Sequence, residues 1–129
     1  MGTNDATIPC TVAPWLSVRH GLKALDFYKS AFGAVEVYRL EVPDTVVARL
    51  SVNGAEFWLS DGAPENVGPE TLGGGSVRMI LTVANPDAVF NQAVAAGATV
   101  VFPVGEEHGW RLGRVVDPFG LHWEIGRML

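Results

Sequence analysis

The residues best suited to chemistry lie close together near the end of the chain. His122 and Glu124 are two positions apart in L-H-W-E-I, and alternation along a β-strand would place both side chains on one face. A histidine beside a carboxylate can act as an acid–base pair or supply two ligands to a metal ion, with His108 as a conceivable third. The same alternation is also typical of a strand whose polar face is merely solvated.

Two tryptophans and an arginine are further candidates for contact with a ligand. Trp15 and Trp110 could clamp a flat or cationic molecule, although packing in a core or a dimer interface would explain them equally well. Arg114 precedes a predicted turn and could either line a pocket or anchor an anionic group. No obvious nucleophile or oxyanion hole accompanies these residues.

A predicted β-hairpin positions this group. Residues 111–116 are apolar and β-branched, as expected of a strand, and 117–120 (D-P-F-G) have the turn order of Asp, Pro and Gly. Residues 121–125 form the return strand, in which Leu121, Trp123 and Ile125 face the core and His122 and Glu124 face away.

Apolar periodicity and turn residues predict eight strands and two helices along the chain. The predicted strands span 11–19, 35–40, 45–52, 56–60, 77–83, 99–102, 111–116 and 121–125, and the helices span 21–32 and 86–96. Pro14 cannot donate a backbone hydrogen bond, so the first strand should lie at a sheet edge or be irregular. Residues 105–109 are predicted to form a polar loop.

The chain repeats one plan of strand, helix and three strands. Positions around the first helix recur 64 residues later, as when Gly33-Ala34 reappears as Gly97-Ala98. This predicts a single α+β domain over 1–129, built of modules 11–62 and 76–128 and joined by a Pro- and Gly-rich linker at 63–75. With one helix for four strands, one face of each sheet is left for the other module, another chain or a ligand.

Composition excludes several classes of protein. The chain has 129 residues, of which 48% are hydrophobic and 18% charged, as expected of a globular domain. Its net charge of −5 argues against nucleic acid or an anionic membrane as partner and mildly favours a neutral or cationic ligand. A single cysteine excludes an internal disulfide, and no apolar run approaches a membrane span, so we expect a cytoplasmic protein.

Two segments resemble a known family. L-D-F-Y-K-S-A-F-G-A (residues 25–34) and D-P-F-G-L-H-W-E-I-G (residues 117–126), together with the duplication, resemble the vicinal oxygen chelate superfamily of glyoxalases, bleomycin-resistance proteins and extradiol dioxygenases. G-W-R-L-G-R-V-V-D-P-F-G looks closest to the PhnB-like subgroup. The resemblance implies two curled mixed sheets, each a cup, in a homodimer.

The resemblance also implies where a metal ion would sit. Metal enzymes of the superfamily place ligands at positions that correspond to Ala13, Leu59 (or Ser60), Arg78 and Glu124, and only Glu124 of this set can bind a divalent cation. We therefore expect no metal and no other cofactor. Arg78 and Glu124 are predicted to converge in the cup, as an ion pair that either contacts a ligand or is purely structural.

These inferences predict a protein that binds a small aromatic or cationic molecule in a cup-shaped pocket, as antibiotic-sequestering members of the superfamily do. The alternative is a metal-dependent lyase, isomerase or dioxygenase, or a metal-free enzyme that uses His122 and Glu124 as acid and base. Trp58 and Trp123 are expected in the core. The predicted ligand-binding residues are Trp15, Ser17, Leu59, Arg78, Ile80, Trp110, Arg114, His122 and Glu124.

Overall fold

The computed structural model describes residues 10–62, 69 and 77–129. Its elements are β1 (Trp15–Ser17), α1 (Gly21–Phe32), β2 (Val35–Val42), β3 (Thr45–Val52), β4 (Ala55–Ser60), β5 (Arg78–Thr82), α2 (Pro86–Ala96), β6 (Thr99–Glu107), β7 (Trp110–Val116) and β8 (His122–Met128). Apart from Pro69, the predicted linker lies outside the described residues. No helix in the described ranges is long and apolar enough to cross a membrane.

The strands form two four-stranded mixed sheets of the same design. The first sheet has the order β1-β4-β3-β2 and the second β5-β8-β7-β6, and in each the first of these pairings is parallel while the others are antiparallel. Strand β1 lies at an edge, as Pro14 predicts, but it is much shorter than the predicted 11–19. The α+β fold predicted from the sequence is therefore confirmed.

Local sequence signals mark both ends of α2 and the end of α1. The backbone of Gly33 has a φ of 67° after α1, a left-handed conformation that glycine adopts without strain. The Asn85 side chain accepts a hydrogen bond from the Ala88 N–H at the start of α2, and Pro86 occupies its first turn. Gly97 ends α2. These caps explain why three of the four helix boundaries could be predicted from local residues.

One continuous core lies between the sheets and the helices. Tyr28 and Phe32 of α1 contact the Trp123 ring of β8, with ring centroids 5.7 and 4.7 Å apart. Phe57 of β4 contacts both Tyr28 and Trp123. Elements of the first sheet and of the second thus share one set of aromatic contacts, and the face of each sheet that turns away from the helices stays open. We call these the first and second open faces.

The core includes a buried carboxylate at the β7–β8 turn. Asp117 is 4% exposed and accepts four hydrogen bonds, from the Tyr28 hydroxyl (2.6 Å), the Trp123 indole (2.9 Å) and the backbone N–H groups of Phe119 and Leu121. Burial raises the pKa of the Asp117 carboxyl, whereas these hydrogen bonds oppose that rise. Burial, followed by the Asp117 carboxylate, raises the pKa of Tyr28, which keeps its hydroxyl protonated as a donor.

The prediction of a polar loop at 105–109 is wrong. β6 continues to Glu107, and Gly105, Glu106 and Glu107 pair with Leu112, Arg111 and Trp110 of β7. His108 and Gly109, with φ angles of 53° and 82°, form a two-residue hairpin turn instead. Polar residues are tolerated in β6 because it is an exposed edge strand, so polarity alone did not indicate a loop.

Candidate functional site

The second open face brings most of the predicted site residues together. Strand register places Ile80, Glu124 and Arg114 side by side on neighbouring strands β5, β8 and β7. Two residues earlier on the same two strands, β5 and β8, Arg78 lies beside His122. The facing of β8 predicted from its alternation is therefore confirmed, since Trp123 and Ile125 are buried against the helices while His122 and Glu124 are only partly covered.

A three-member charge cluster lies at the centre of this face. Arg78 Nε is 2.8 Å from Glu124 Oε2, and Arg114 Nη2 is 3.5 Å from the same oxygen. The Glu124 side chain is 15% exposed, less than that of Arg78 (46%) or Arg114 (24%). The predicted Arg78–Glu124 ion pair is present, and Arg114 is a second partner of the carboxylate that the sequence did not indicate.

Two buried nitrogen atoms beside this cluster lack a partner. Arg114 Nε and His122 Nδ1 are shielded from solvent and make no hydrogen bond within the part of the chain that the structure describes. The Arg114 guanidinium also lies 5.1 Å from the centre of the Phe102 ring, which covers one side of it. The cluster therefore retains polar capacity that a bound molecule could use.

A small cavity adjoins the cluster. It has a volume of about 220 Å³ and is lined by Ile80, Trp110, Leu112, Glu124 and Gly126. A Cβ atom on Gly126 would come within 2.5 Å of the Leu112 Cβ, so only glycine fits at this position of the cavity lining without displacing Leu112. Trp110 and Ile80 thus provide an apolar wall beside the carboxylate, as expected of a site that holds a molecule with both apolar and polar parts.

The first open face carries three aromatic side chains and one arginine. The Trp15 and Trp58 rings are stacked with centroids 6.0 Å apart, and Tyr38 contacts Trp58 edge-on at 5.9 Å. The guanidinium of Arg49 lies 5.3 Å from the centre of the Trp58 ring. We call Trp15, Tyr38, Arg49 and Trp58 the aromatic platform. Ser17 lies on the same face, one alternation beyond Trp15.

The predicted positions of Leu59 and Trp58 are wrong. Leu59 is fully buried in the core opposite Leu16, whereas Trp58 pairs with Trp15 on the open face. The register makes Trp58 the counterpart of Glu124, because Trp15↔Trp58 in the first sheet corresponds to Ile80↔Glu124 in the second. The sequence prediction failed because three consecutive apolar residues in β4 hide the alternation, and a one-residue shift exchanges the faces.

Ala13 lies near Arg78, as predicted, but at a different opening. Both residues line a cavity of about 430 Å³ between the edges of the two sheets, next to Phe57 and Ile80. The cavity lies between the segment that precedes β1 (residues 12–14) and β5. The four residues predicted to converge are therefore divided: Arg78 pairs with Glu124, Ala13 lines the 430 Å³ cavity, and Leu59 is in the core.

The donor set does not fit a catalytic metal ion. Across residues 10–62 and 77–129, no three histidine, cysteine, aspartate or glutamate side chains are grouped so as to hold one. Glu124 is engaged by two guanidinium groups, whose charge opposes a divalent cation at that oxygen. His108 lies in the turn before Trp110, at the end of β7 opposite to the one where Val116 pairs with His122, so it is no third ligand.

The sequence matches a known protein family over most of its length. The family model described as a glyoxalase-like domain matches residues 16–125. The chain belongs to the glyoxalase-like family. An uncharacterised protein of Mycobacterium tuberculosis is 42% identical over 124 residues, which cover 90% of this chain and 73% of that protein. The family is thus established by sequence over nearly the whole domain.

Solved structures agree with this assignment. The crystal structure of TioX from Micromonospora sp. ML1 is 27% identical, with a TM-score of 0.72 over 93% of this chain and all of that one. A glyoxylase/bleomycin resistance protein/dioxygenase domain from Frankia sp. has a TM-score of 0.74 at 19% identity, covering 95% and 99% of the two chains, and so shares the fold. This glyoxalase-like chain therefore has the fold of the vicinal oxygen chelate superfamily, as its sequence resemblance predicted.

Proposed function

We propose that this glyoxalase-like protein binds a small planar molecule between two open sheet faces, without a metal ion. The observation that carries the proposal is the difference between those faces: the first presents the aromatic platform and the second presents the Arg78–Glu124–Arg114 cluster. An aromatic surface suits stacking on a flat ring, and a charged one suits orienting its polar substituents. A planar antibiotic that the protein binds without chemically modifying it would be a ligand of this kind.

The proposal includes a second copy of the chain as the cover of each open face. Large apolar side chains remain exposed there, among them Trp15 (55%), Leu40 (44%) and Ile80 (66%). In a twofold dimer, the aromatic face of one protomer would cover the charged face of the other, which gives two equivalent cups. Light scattering at micromolar concentration should give about twice the 13.8 kDa chain mass, and a monomer mass would contradict the dimer.

A matched pair of substitutions tests where the dimer forms. Leu40 pairs with Val47 on the first open face, and Leu22 lies on α1 with a similar exposure of 52%. Leu40→Glu should produce monomers because a carboxylate would be buried in the interface. Leu22→Glu should leave the mass unchanged. If both variants stay dimeric, the interface lies elsewhere.

Ligand binding is tested on the aromatic platform. A screen of planar aromatic compounds by melting temperature should yield stabilising compounds, and Trp58→Ala should weaken their binding about tenfold or more, while Trp58→Phe retains most of it. Binding that is unchanged in Trp58→Ala would remove the platform from the site. Metal analysis belongs beside this test, since one tightly held equivalent of Zn, Ni, Mn or Fe would favour the metal-dependent enzyme instead.

A further inference from the structure

We infer that the molecule bound at the second open face carries an anionic group, such as a carboxylate, which Arg114 and Arg78 bind. The inference rests on the function proposed above and specifies the chemistry of its ligand. It departs from the cationic ligand that the overall charge of the chain suggested.

The charge balance of the cluster is the first reason. Two guanidinium groups share one carboxylate, so the three side chains have a net positive charge. Arg78 reaches Glu124 through Nε and Arg114 through Nη2, while each guanidinium has five N–H donors. A second anion would complete the cluster through charge-assisted hydrogen bonds, which are stronger than neutral ones.

The unpartnered nitrogen atoms are the second reason. Arg114 Nε is always protonated, is buried, and has no acceptor among the described residues. His122 Nδ1 is similarly buried and without a partner among the described residues. A carboxylate accepts several hydrogen bonds and can satisfy donors of this kind, whereas a ligand ammonium group could accept none of them.

The shape beside the cluster defines the rest of the ligand. The 220 Å³ cavity next to Glu124 is walled by Ile80, Trp110 and Leu112, which suit an apolar or aromatic body. The expected class is therefore a compact organic acid with an apolar ring or chain. The net charge of −5 does not oppose such a ligand, because salt screens charges farther than about 8 Å away.

Three probes of similar shape and different charge test the inference. Benzoate is an anion, benzamide is neutral and benzamidinium is a cation, and each is titrated into the purified full-length protein while the tryptophan indole N–H signals are followed by NMR. Benzoate should bind at least about tenfold more tightly than benzamidinium, since each lost charge-assisted hydrogen bond weakens binding by about that factor.

Substitutions in the cluster should act with opposite signs. Arg114→Gln and Arg78→Gln should each weaken benzoate binding several-fold. Glu124→Gln should strengthen it, because both arginines lose the carboxylate that competes with the ligand. Arg127→Gln is the matched control, since Arg127 is exposed on β8 and pairs with Arg111 on the other face of the sheet. Melting curves establish that each variant is folded.

The outcomes separate this inference from the function on which it rests. Equal or tighter binding of benzamidinium would overturn the anionic ligand and leave the proposed binding function standing. Benzoate binding that is unchanged or weaker in Glu124→Gln would do the same. If none of the three probes binds, while planar compounds that depend on Trp58 do, the anionic site is equally overturned. If no aromatic compound of any charge binds, both proposals fail.

Discussion

Replacing Trp123 by alanine is expected to lower the free energy of unfolding by about 3–5 kcal/mol, the range typical of large aromatic side chains removed from a core. Trp123 is 4% exposed, and its ring contacts Phe32, Tyr28 and Phe57, which all come from the first half of the chain. The substitution also removes the indole hydrogen bond to Asp117. Urea denaturation at a fixed protein concentration measures the change.

The neighbouring residue provides the control for this experiment. His122 lies on the open side of the same strand, and His122→Ala should change stability by less than about 1 kcal/mol. Each variant removes one aromatic side chain from β8. The comparison therefore tests which of the two side chains points into the core. A larger loss from His122→Ala than from Trp123→Ala would contradict the packing of this strand.

Replacing Asp117 by alanine is expected to destabilise the fold by more than about 3 kcal/mol. The substitution leaves the Tyr28 hydroxyl, the Trp123 indole and two backbone N–H groups without their acceptor in a buried place. Hydrogen bonds to a charged group are individually worth more than neutral ones, and a buried donor left unpaired adds a further cost. Chemical denaturation followed by circular dichroism provides the measurement.

A graded series separates the parts of this network. Tyr28→Phe removes one donor and should lower stability by about 1–2 kcal/mol. Asp117→Asn keeps an acceptor for the backbone but presents an amide to Trp123, so its effect should lie between those of Tyr28→Phe and Asp117→Ala. Asp26→Ala, on the exposed side of α1, should change stability by less than about 0.5 kcal/mol. If Asp117→Ala is as mild as Asp26→Ala, the carboxylate does not stabilise the turn.

Local signals were sufficient to predict most elements. The first helix was predicted at its observed bounds because Gly33 ends it, and β3 was predicted at its bounds because a Pro43-Asp44 turn precedes it and Asn53-Gly54 follows it. Each of these signals acts on neighbouring residues, through backbone conformations that glycine and asparagine adopt easily. The repeat of these signals also predicted the fold.

Prediction failed where side-chain facing depends on partners far along the chain. In β4 the run Phe57-Trp58-Leu59 is apolar throughout, so hydrophobicity could not decide which residue faces the core. The parallel pairing with β1 places Trp58 beside Trp15, and Tyr38 and Arg49 then complete the aromatic platform from other strands. No spacing in the sequence indicated these contacts.

Most elements, their duplication and the facing of β8 could be predicted from the residues alone, because helix caps, turns and alternation are local properties. Two contacts are visible only in the folded domain: Arg114 joins Arg78 on Glu124, and the Tyr28 hydroxyl donates a hydrogen bond to Asp117 from 89 positions away. Such contacts depend on the register between strands and on the packing of α1 against β8. A shift of one residue in register would exchange open and buried faces, so these contacts are fixed by the packing of the whole domain.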